Sequence, residues 1–427
     1  MRLKFPKSLG LGVASAATQI EGGHKENSWY DWYKQGHIKD NADPSIANMH
    51  YERYAEDAQL MHDMGIRHYR LGLEWARLEP QPGVFDEKEF AHYRQELLLL
   101  KKLGIQPLLT LHHFTNPLWF ERMGAFANKK CIPIFLRFVT IAVKKLGDLV
   151  SEYITINEPN VYATSGFFFG EWPPGKKSLG AALRVMGNMC ECHIKAYDLI
   201  HKLRKEMGFD DTRVSYAHHM RVFVPKDMKR LSDRMGARLM MRLFQTSLSS
   251  AYLTGKGGFP LRSVPGAKNR LYCDFHAINY YSRTAASGLS AGFLSGVPVN
   301  DLGWEIYPQG IVECAKELYA LAKLPIYITE NGTCDNTDAF RSRYVYEHIK
   351  AICESGLPVE RYYHWCFTDN FEWVEGFSAR FGIVHVDYES QQRTVKRSGE
   401  FFSKMIAEGG VSEEMYSEYC GTEYKMN

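Results

Sequence analysis

Two stretches of the chain each place one glutamate at the end of an apolar, β-forming run. One is Tyr153-Ile154-Thr155-Ile156-Asn157-Glu158-Pro159. The other is Ile326-Tyr327-Ile328-Thr329-Glu330-Asn331-Gly332. Such runs, closed by Asn, Pro or Gly, read as buried strands that present an acid at the C-terminal tip. One glutamate of this kind would be unremarkable as an exposed strand-end residue. Two in the same Thr/Asn/Glu setting point to one cleft with two carboxylates. Carboxylates about 5 Å apart cleave glycosidic bonds with retention, one attacking while the other protonates the leaving oxygen; a wider gap seats a water and gives inversion. Sequence spacing leaves both geometries open.

A carboxylate that attacks must be ionised, so it needs a cation and hydrogen-bond donors. Arg70, inside the apolar run from Ile66 to Trp75, and Tyr281, closing the run from Phe275, are the candidates. A buried arginine requires an anionic partner or a full set of acceptors. A general acid must keep its proton near neutral pH, through burial or a neighbouring carboxylate. Gln19 and His113 follow two further apolar runs and carry groups that bond sugar hydroxyls. Thr368-Asp369-Asn370-Phe371-Glu372-Trp373 sets an acid beside an indole, a pairing that accepts from hydroxyls and covers C–H faces. Trp365 and Phe381 extend this aromatic surface. His218 and His219 are neighbours on a strand, so at most one faces inward, and both read as structural. Cys366 reads as a packed small apolar residue. Strand one offers Ala16-Ala17-Thr18-Gln19 rather than His or Asp, so neither a metal nor another cofactor is expected.

The elements that must position these residues alternate between strand and helix patterns. The strand candidates are 11–17, 66–75, 107–111, 153–157, 213–217, 275–281, 326–331 and 362–367. Tyr54, Ala58 and Met61 recur at helical spacing before Gly65. Asp86 and Glu89 form a capping-box pattern ahead of the stripe Phe90, Tyr93, Leu97 and Leu100. Further helices are expected over 134–146, up to about Lys205, and over 309–322, 337–354 and 396–406. The aromatic stretch 167–174 reads as a loop. Parallel strands joined by helical crossovers close into a (β/α)8 barrel, the TIM-barrel architecture, with its active site at the C-terminal ends of the strands. No linker interrupts the pattern, so residues 1–427 read as a single catalytic domain.

Composition agrees. Hydrophobic residues make up 45% of the chain, enough for a large core, and the 13% aromatic share suits a site that stacks flat ligand faces. The net charge is only +3, and no basic run exceeds a Lys-Lys pair, which argues against nucleic acid as a partner. The 9 scattered cysteines read as free thiols of a reducing compartment. The first residues lack a signal-peptide pattern, and no apolar run is long enough to span a membrane. A soluble cytoplasmic protein acting on a small substrate is expected.

Three motifs in order resemble glycoside hydrolase family 1, the β-glucosidase-like retaining enzymes, along nearly the whole chain. Thr155-Ile156-Asn157-Glu158-Pro159 is similar to the family's acid/base motif, and Ile328-Thr329-Glu330-Asn331-Gly332 to its nucleophile motif. The segment from Trp365 through Glu372-Trp373 to Arg380-Phe381-Gly382 resembles its C-terminal signature. The resemblance implies an exo-acting β-glycosidase in which Glu330 forms a glycosyl–enzyme intermediate, Glu158 serves as acid and then base, and Arg70 and Tyr281 hold the nucleophile. It implies that Gln19, His113, Asn157, Asn279, Glu372 and Trp373 grip the terminal sugar, with Trp365 and Phe381 as floor and wall. Phe114 stands where the family usually has a tryptophan, implying one lost hydroxyl contact and a roomier subsite. Arg70-Leu71-Gly72-Leu73-Glu74-Trp75 is similar to the archaeal-type branch, whose members accept glucosides, galactosides and fucosides. Glu372 would repel a phosphate and disfavours 6-phosphoglycosides. A transglycosidase would use the same residues; a sugar-binding barrel without catalysis would not need both glutamates.

Overall fold

The computed structural model describes residues 2–427. Eight parallel strands close on themselves: β1 (Gly10–Ala14), β2 (His68–Gly72), β3 (Gln106–Thr110), β4 (Glu152–Asn157), β5 (Arg213–Pro225), β6 (His276–Ser287), β7 (Ile326–Asn331) and β8 (Val359–Trp365). Neighbours in sequence pair in order, and β8 returns to β1 in parallel register, Tyr363 opposite Gly12. Main crossover helices include His50–Asp63, Glu87–Lys102, Cys131–Leu146, Leu179–Glu206, Gln309–Leu321, Arg341–Glu354 and Arg397–Glu408. Most of the apolar core lies between these helices and the strands. A second cluster, including Ala14, Leu108, Ile154, Ala217, Ala277, Tyr327 and Tyr363, fills the barrel itself. Below the mouth, Tyr327 donates to Glu152 Oε1 at 2.8 Å and accepts from Arg213 at 2.7 Å, while Glu152 Oε2 and the Tyr363 hydroxyl are buried without a protein partner.

Several elements differ from their expected bounds for identifiable reasons. β2 ends at Gly72 because Glu74 caps a short helix, Trp75–Leu78, accepting from the Ala76 N–H at 3.2 Å. Only half of the expected capping box forms. Asp86 accepts from the Lys88 and Glu89 N–H groups, but its own N–H donates to the Leu78 carbonyl, leaving nothing for Glu89 to accept from. The helix expected from 337 begins at Arg341, where Asp335 accepts from the Phe340 and Arg341 N–H groups. The stretch expected as a loop is partly helical: Pro159–Ala163 continues into a wide π-type turn over Thr164–Phe169, and the rings of Tyr162 and Phe167, five residues apart, meet at 5.7 Å. β5 and β6 run past the barrel rim as a ribbon, pairing as far as Pro225 and Ala286. His218 and His219 therefore lie within β5 rather than at its exit.

Both acid-bearing strands lose regular register just before their acid. The pairing of β4 with β5 shifts between Ile154 and Asn157, and that of β7 with β6 between Ile328 and Glu330. Regular alternation would send adjacent side chains to opposite faces. The irregularity lets Thr329 and Glu330 both bond groups at the mouth. Glu158 completes the break with a left-handed backbone (φ +42°), followed by Pro159 at the first position of the next helix. Behind Glu330, Gly332 passes so close to β8 that an added Cβ would lie 1.8 Å from the Trp365 carbonyl oxygen. Gly332→Ala is expected to destabilise the protein by about 1–3 kcal/mol through overpacking. Denaturant unfolding checks this, and an unchanged midpoint would show that the strands part without cost.

Candidate active site

Arg70 is fully buried and organises the mouth of the barrel. Its Nη1 donates to Glu330 Oε1 and, at 3.2 Å, to the Thr329 carbonyl; Nη2 donates to Asn157 Oδ1 at 2.6 Å and Nε to Thr110 Oγ1 at 3.2 Å. The Tyr281 hydroxyl donates to the other oxygen, Glu330 Oε2, at 2.6 Å. Each oxygen of this carboxylate thus has its own donor, one of them cationic. Burial, against the pull of Arg70 and Tyr281 and with the push of a charged Glu158, leaves Glu330 raised to about 7.

Glu158 is held differently. Both of its protein partners meet one oxygen: Asn279 Nδ2 donates to Oε1 at 2.7 Å, and His219 Nδ1 lies 3.1 Å from the same atom. Burial favours the protonated acid. A cationic His219, with Asn279 and Arg70, reverses this and brings Glu158 below the ordinary carboxylate range. His219, however, is itself buried and has its pKa lowered, first by burial and also by Arg221. Its Nε2 accepts from Arg221 Nε at 2.8 Å, which requires a lone pair on that nitrogen. The ring is therefore neutral, its strongest pull on Glu158 is absent, and burial governs. Two buried carboxylates sharing one site do not both ionise readily. The arrangement favours the proton on Glu158 and the charge on Glu330, beside Arg70.

The other residues singled out by sequence surround this pair. Asn157 Oδ1 faces two donors, Arg70 and Asn279, so its Nδ2 must be the group 3.1 Å from His113 Nε2. That makes His113 Nε2 an acceptor and places its proton on Nδ1, which is buried without a protein partner. Gln19 Nε2 donates to the Phe371 carbonyl at 2.8 Å, leaving Oε1 as a buried acceptor without a protein partner. A donor and an acceptor of this kind suit a polyhydroxylated ligand. Glu372 Oε2 accepts from Gln19 Nε2 at 3.3 Å, and Trp365 with Gln19 offsets part of the rise that burial gives its carboxyl. The His113 ring stacks near Trp365 and Trp373 at 5.8 and 6.0 Å. Phe381 stands edge-on to Tyr281 at 6.4 Å.

Three expectations shift at this level of detail. Asn279, expected on the sugar, spends its amide on Glu158 and Asn157 and accepts from Thr329 Oγ1 at 2.7 Å. The space beside Phe114 is taken up on one side by Trp172, 4.9 Å away, with Trp373 at 5.4 Å. His219, read as structural, touches Glu158. Trp29, packed 4.6 Å from Trp373, and Trp304, 5.9 Å from Phe381, also belong to the aromatic surround. Trp172 lies in the aromatic stretch 167–174 and Trp29 opens another, Trp29-Tyr30-Asp31-Trp32-Tyr33, so composition was the available signal for both. Among the described residues, no group of three or more His, Cys, Asp or Glu side chains is arranged to hold a metal ion.

A parallel eight-stranded barrel with two buried glutamates at the tips of strands four and seven defines a barrel glycosidase. The sequence model described as Glycosyl hydrolase family 1 matches residues 1–272 and 272–411. Beta-glucosidase A of Thermotoga maritima is 30% identical, over 96% of this chain and 99% of its own. A beta-galactosidase of Sulfolobus acidocaldarius is 27% identical, over 97% of each chain. The solved beta-glycosidase of Pyrococcus horikoshii superposes with a TM-score of 0.89 at 30% identity, covering 99% of both chains. The chain belongs to glycosyl hydrolase family 1 and is a glycoside hydrolase of the β-glucosidase and β-galactosidase type.

Glu372 supplies a pH signature. Burial, followed by the charge of Glu330, pushes its carboxyl up to about 8. The unfolded chain loses this proton near the ordinary value of 4.5, whereas the folded chain retains it. Its contribution to stability is therefore complete below the unfolded value and is lost as pH rises through about 8. Glu372→Gln removes the titration. The melting temperature of the variant is expected to rise relative to the unaltered protein between about pH 5 and about pH 9. A difference independent of pH would place the Glu372 proton elsewhere.

Proposed function

We propose that the enzyme releases terminal β-linked sugars by double displacement, with Glu330 as nucleophile and Glu158 as acid/base. A Glu330 oxygen bonds to the anomeric carbon as the glycosidic C–O bond breaks, and the Glu158 proton passes to the leaving oxygen. Water then gives a proton to the Glu158 carboxylate, attacks the same carbon and frees Glu330, so two inversions give net retention. The observation that carries the assignment is the asymmetry of holding. Glu330 has a guanidinium and a phenol on separate oxygens, which favours its charge, whereas Glu158 faces only neutral donors on one oxygen.

Gln19, His113, Asn157, Glu372 and Trp373 are proposed to bind the terminal sugar, with Trp365 and Phe381 beneath and beside it and Phe114 at the wall. Asn279 is assigned to holding Glu158. The substrate is a small β-glycoside or oligosaccharide with a glucose-type terminal unit, galactose and fucose being accepted too. The whole chain acts as one catalytic unit. Its 9 cysteines, none of them in a disulfide, support a reducing, cytoplasmic setting. Among the described residues, no helix is long and apolar enough to cross a membrane.

Glu330→Gly is expected to abolish turnover of nitrophenyl β-glycosides, with azide restoring it and forming the α-glycosyl azide. Glu158→Ala is expected to lose about 10²–10⁴-fold on poor leaving groups, the usual worth of general acid catalysis. It should retain activity on dinitrophenyl glycosides, and azide should give the β-glycosyl product. NMR of the first-formed anomers and azides reads both outcomes. The reverse pattern would exchange the two roles, and inactivity of the unaltered enzyme on a glucoside, galactoside and fucoside panel would refute the substrate class.

A further inference from the structure

We propose that His219, backed by Arg221, is a positioning residue that fixes the proton of Glu158 on a single oxygen, Oε2. The inference rests on Glu158 being the acid/base and adds how its proton is kept in place. A guanidinium donates and has no lone pair to accept with. Arg221 Nε donates to His219 Nε2 at 2.8 Å, so the single proton of the neutral ring sits on Nδ1, directed at Glu158 Oε1, 3.1 Å away. Asn279 Nδ2 donates to the same oxygen at 2.7 Å. Oε1 therefore accepts twice, and the carboxyl hydrogen is left to Oε2. The two donors need not move when Glu158 turns from acid to base, because the proton leaves from Oε2 and returns to Oε2.

The surroundings hold this relay still. Glu158 lies on the loop that leaves β4, and His219 and Arg221 are two apart on β5, their side chains meeting at 2.8 Å. The Tyr281 ring stacks on His219 at 5.9 Å and 18°, and Phe244 meets it edge-on at 5.9 Å. Asn160 anchors the His219 carbonyl at 2.8 Å. The Arg221 N–H donates to Gln245 Oε1 at 2.9 Å, and Gln245 is tied to Glu317 at 2.6 Å. The Arg221 guanidinium otherwise reaches only Thr284 Oγ1 at 3.4 Å, and among the described residues no carboxylate lies within salt-bridge distance of it. Its charge is thus free to keep His219 neutral. The other ionisable groups acting on Glu158 are Arg70, Glu330, Tyr281 and Glu372.

The test is kcat/KM across pH on aryl β-glycosides of graded leaving-group pKa. His219→Leu removes a donor that favours the carboxylate, so the alkaline limb should move to higher pH. Activity on poor leaving groups should fall about 10- to 100-fold, part of the general-acid contribution, and dinitrophenyl glycosides should be little affected. His219→Asn, whose amide sits where Nδ1 was, should recover most of the loss and the original limb. Arg221→Leu, which frees His219 to take a second proton, should move the limb the opposite way, to lower pH, with Glu158 and His219 both intact. Equal loss on every substrate with an unmoved limb, in His219→Leu or in Arg221→Leu, overturns the inference. Glu158→Gln keeps the two failures apart. If it shows the selective loss and the β5 variants do not, the positioning role is wrong; if it lacks that selectivity, the acid/base assignment itself is wrong.

Discussion

The Arg70 guanidinium is the constraint on which the mouth of this barrel depends. Removing a charge from water costs several kcal/mol, so a fully buried arginine persists only where its partners are complete. They come from around the barrel: Thr110 on β3, Asn157 on β4, and Thr329 with Glu330 on β7. Closing the strands over Arg70 is costly unless its acceptors are in place, and Glu330 is the one among them that carries charge. The stability of the barrel mouth and the charge on Glu330, the proposed nucleophile, are thereby linked. Loss of one partner of such a pair typically costs 3–5 kcal/mol, because the other charge remains buried.

The directionality of arginine spreads outward from there. Because Arg70 only donates, Asn157 must turn its oxygen inward and its amide toward His113, which fixes the His113 proton on Nδ1. On the opposite side Arg221 does the same to His219 directly. Two arginines set the tautomers of two histidines. One histidine presents its N–H to the proposed sugar site, the other to Glu158. Neither depends on protonation of the imidazole, consistent with burial lowering the pKa of both rings.

Much of this was legible in sequence because it rests on local pattern. Eight strand-like runs alternating with helical stripes require a closed parallel barrel, and two acids at equivalent strand tips require a shared mouth. Arg70 within an apolar run required an anion. What was not legible depends on register and long-range partners. Which of His218 and His219 faces inward follows from the pairing of β5 with β6, which no residue of either strand reveals alone. The continuation of those strands beyond the barrel depends on their pairing with each other. The half-formed cap at Asp86 depends on the distant Leu78 carbonyl. Trp172 closes on Phe114 only because the segment before it coils into a π-type turn, where its aromatic run resembles a loop.

The electrostatics of the mouth link recognition of the sugar to readiness for chemistry. Glu158, Glu330 and Glu372 share one buried space with one contacting guanidinium, that of Arg70. Charge on Glu330 pushes Glu372 upward, and charge on Glu158 raises both of the others. In the free enzyme the proton on Glu372 relieves this repulsion. Sugar hydroxyls donating to Glu372 favour its carboxylate form and so release that proton. The added negative charge then falls on Glu158 and Glu330, but Glu330 has Arg70 and Tyr281 to hold it ionised, whereas Glu158 has only neutral donors on one oxygen. The burden therefore falls on Glu158, whose proton is held more firmly once the terminal sugar is seated. In the proposed double displacement, a correctly bound glycone thus prepares the acid that its own departure from the aglycone requires.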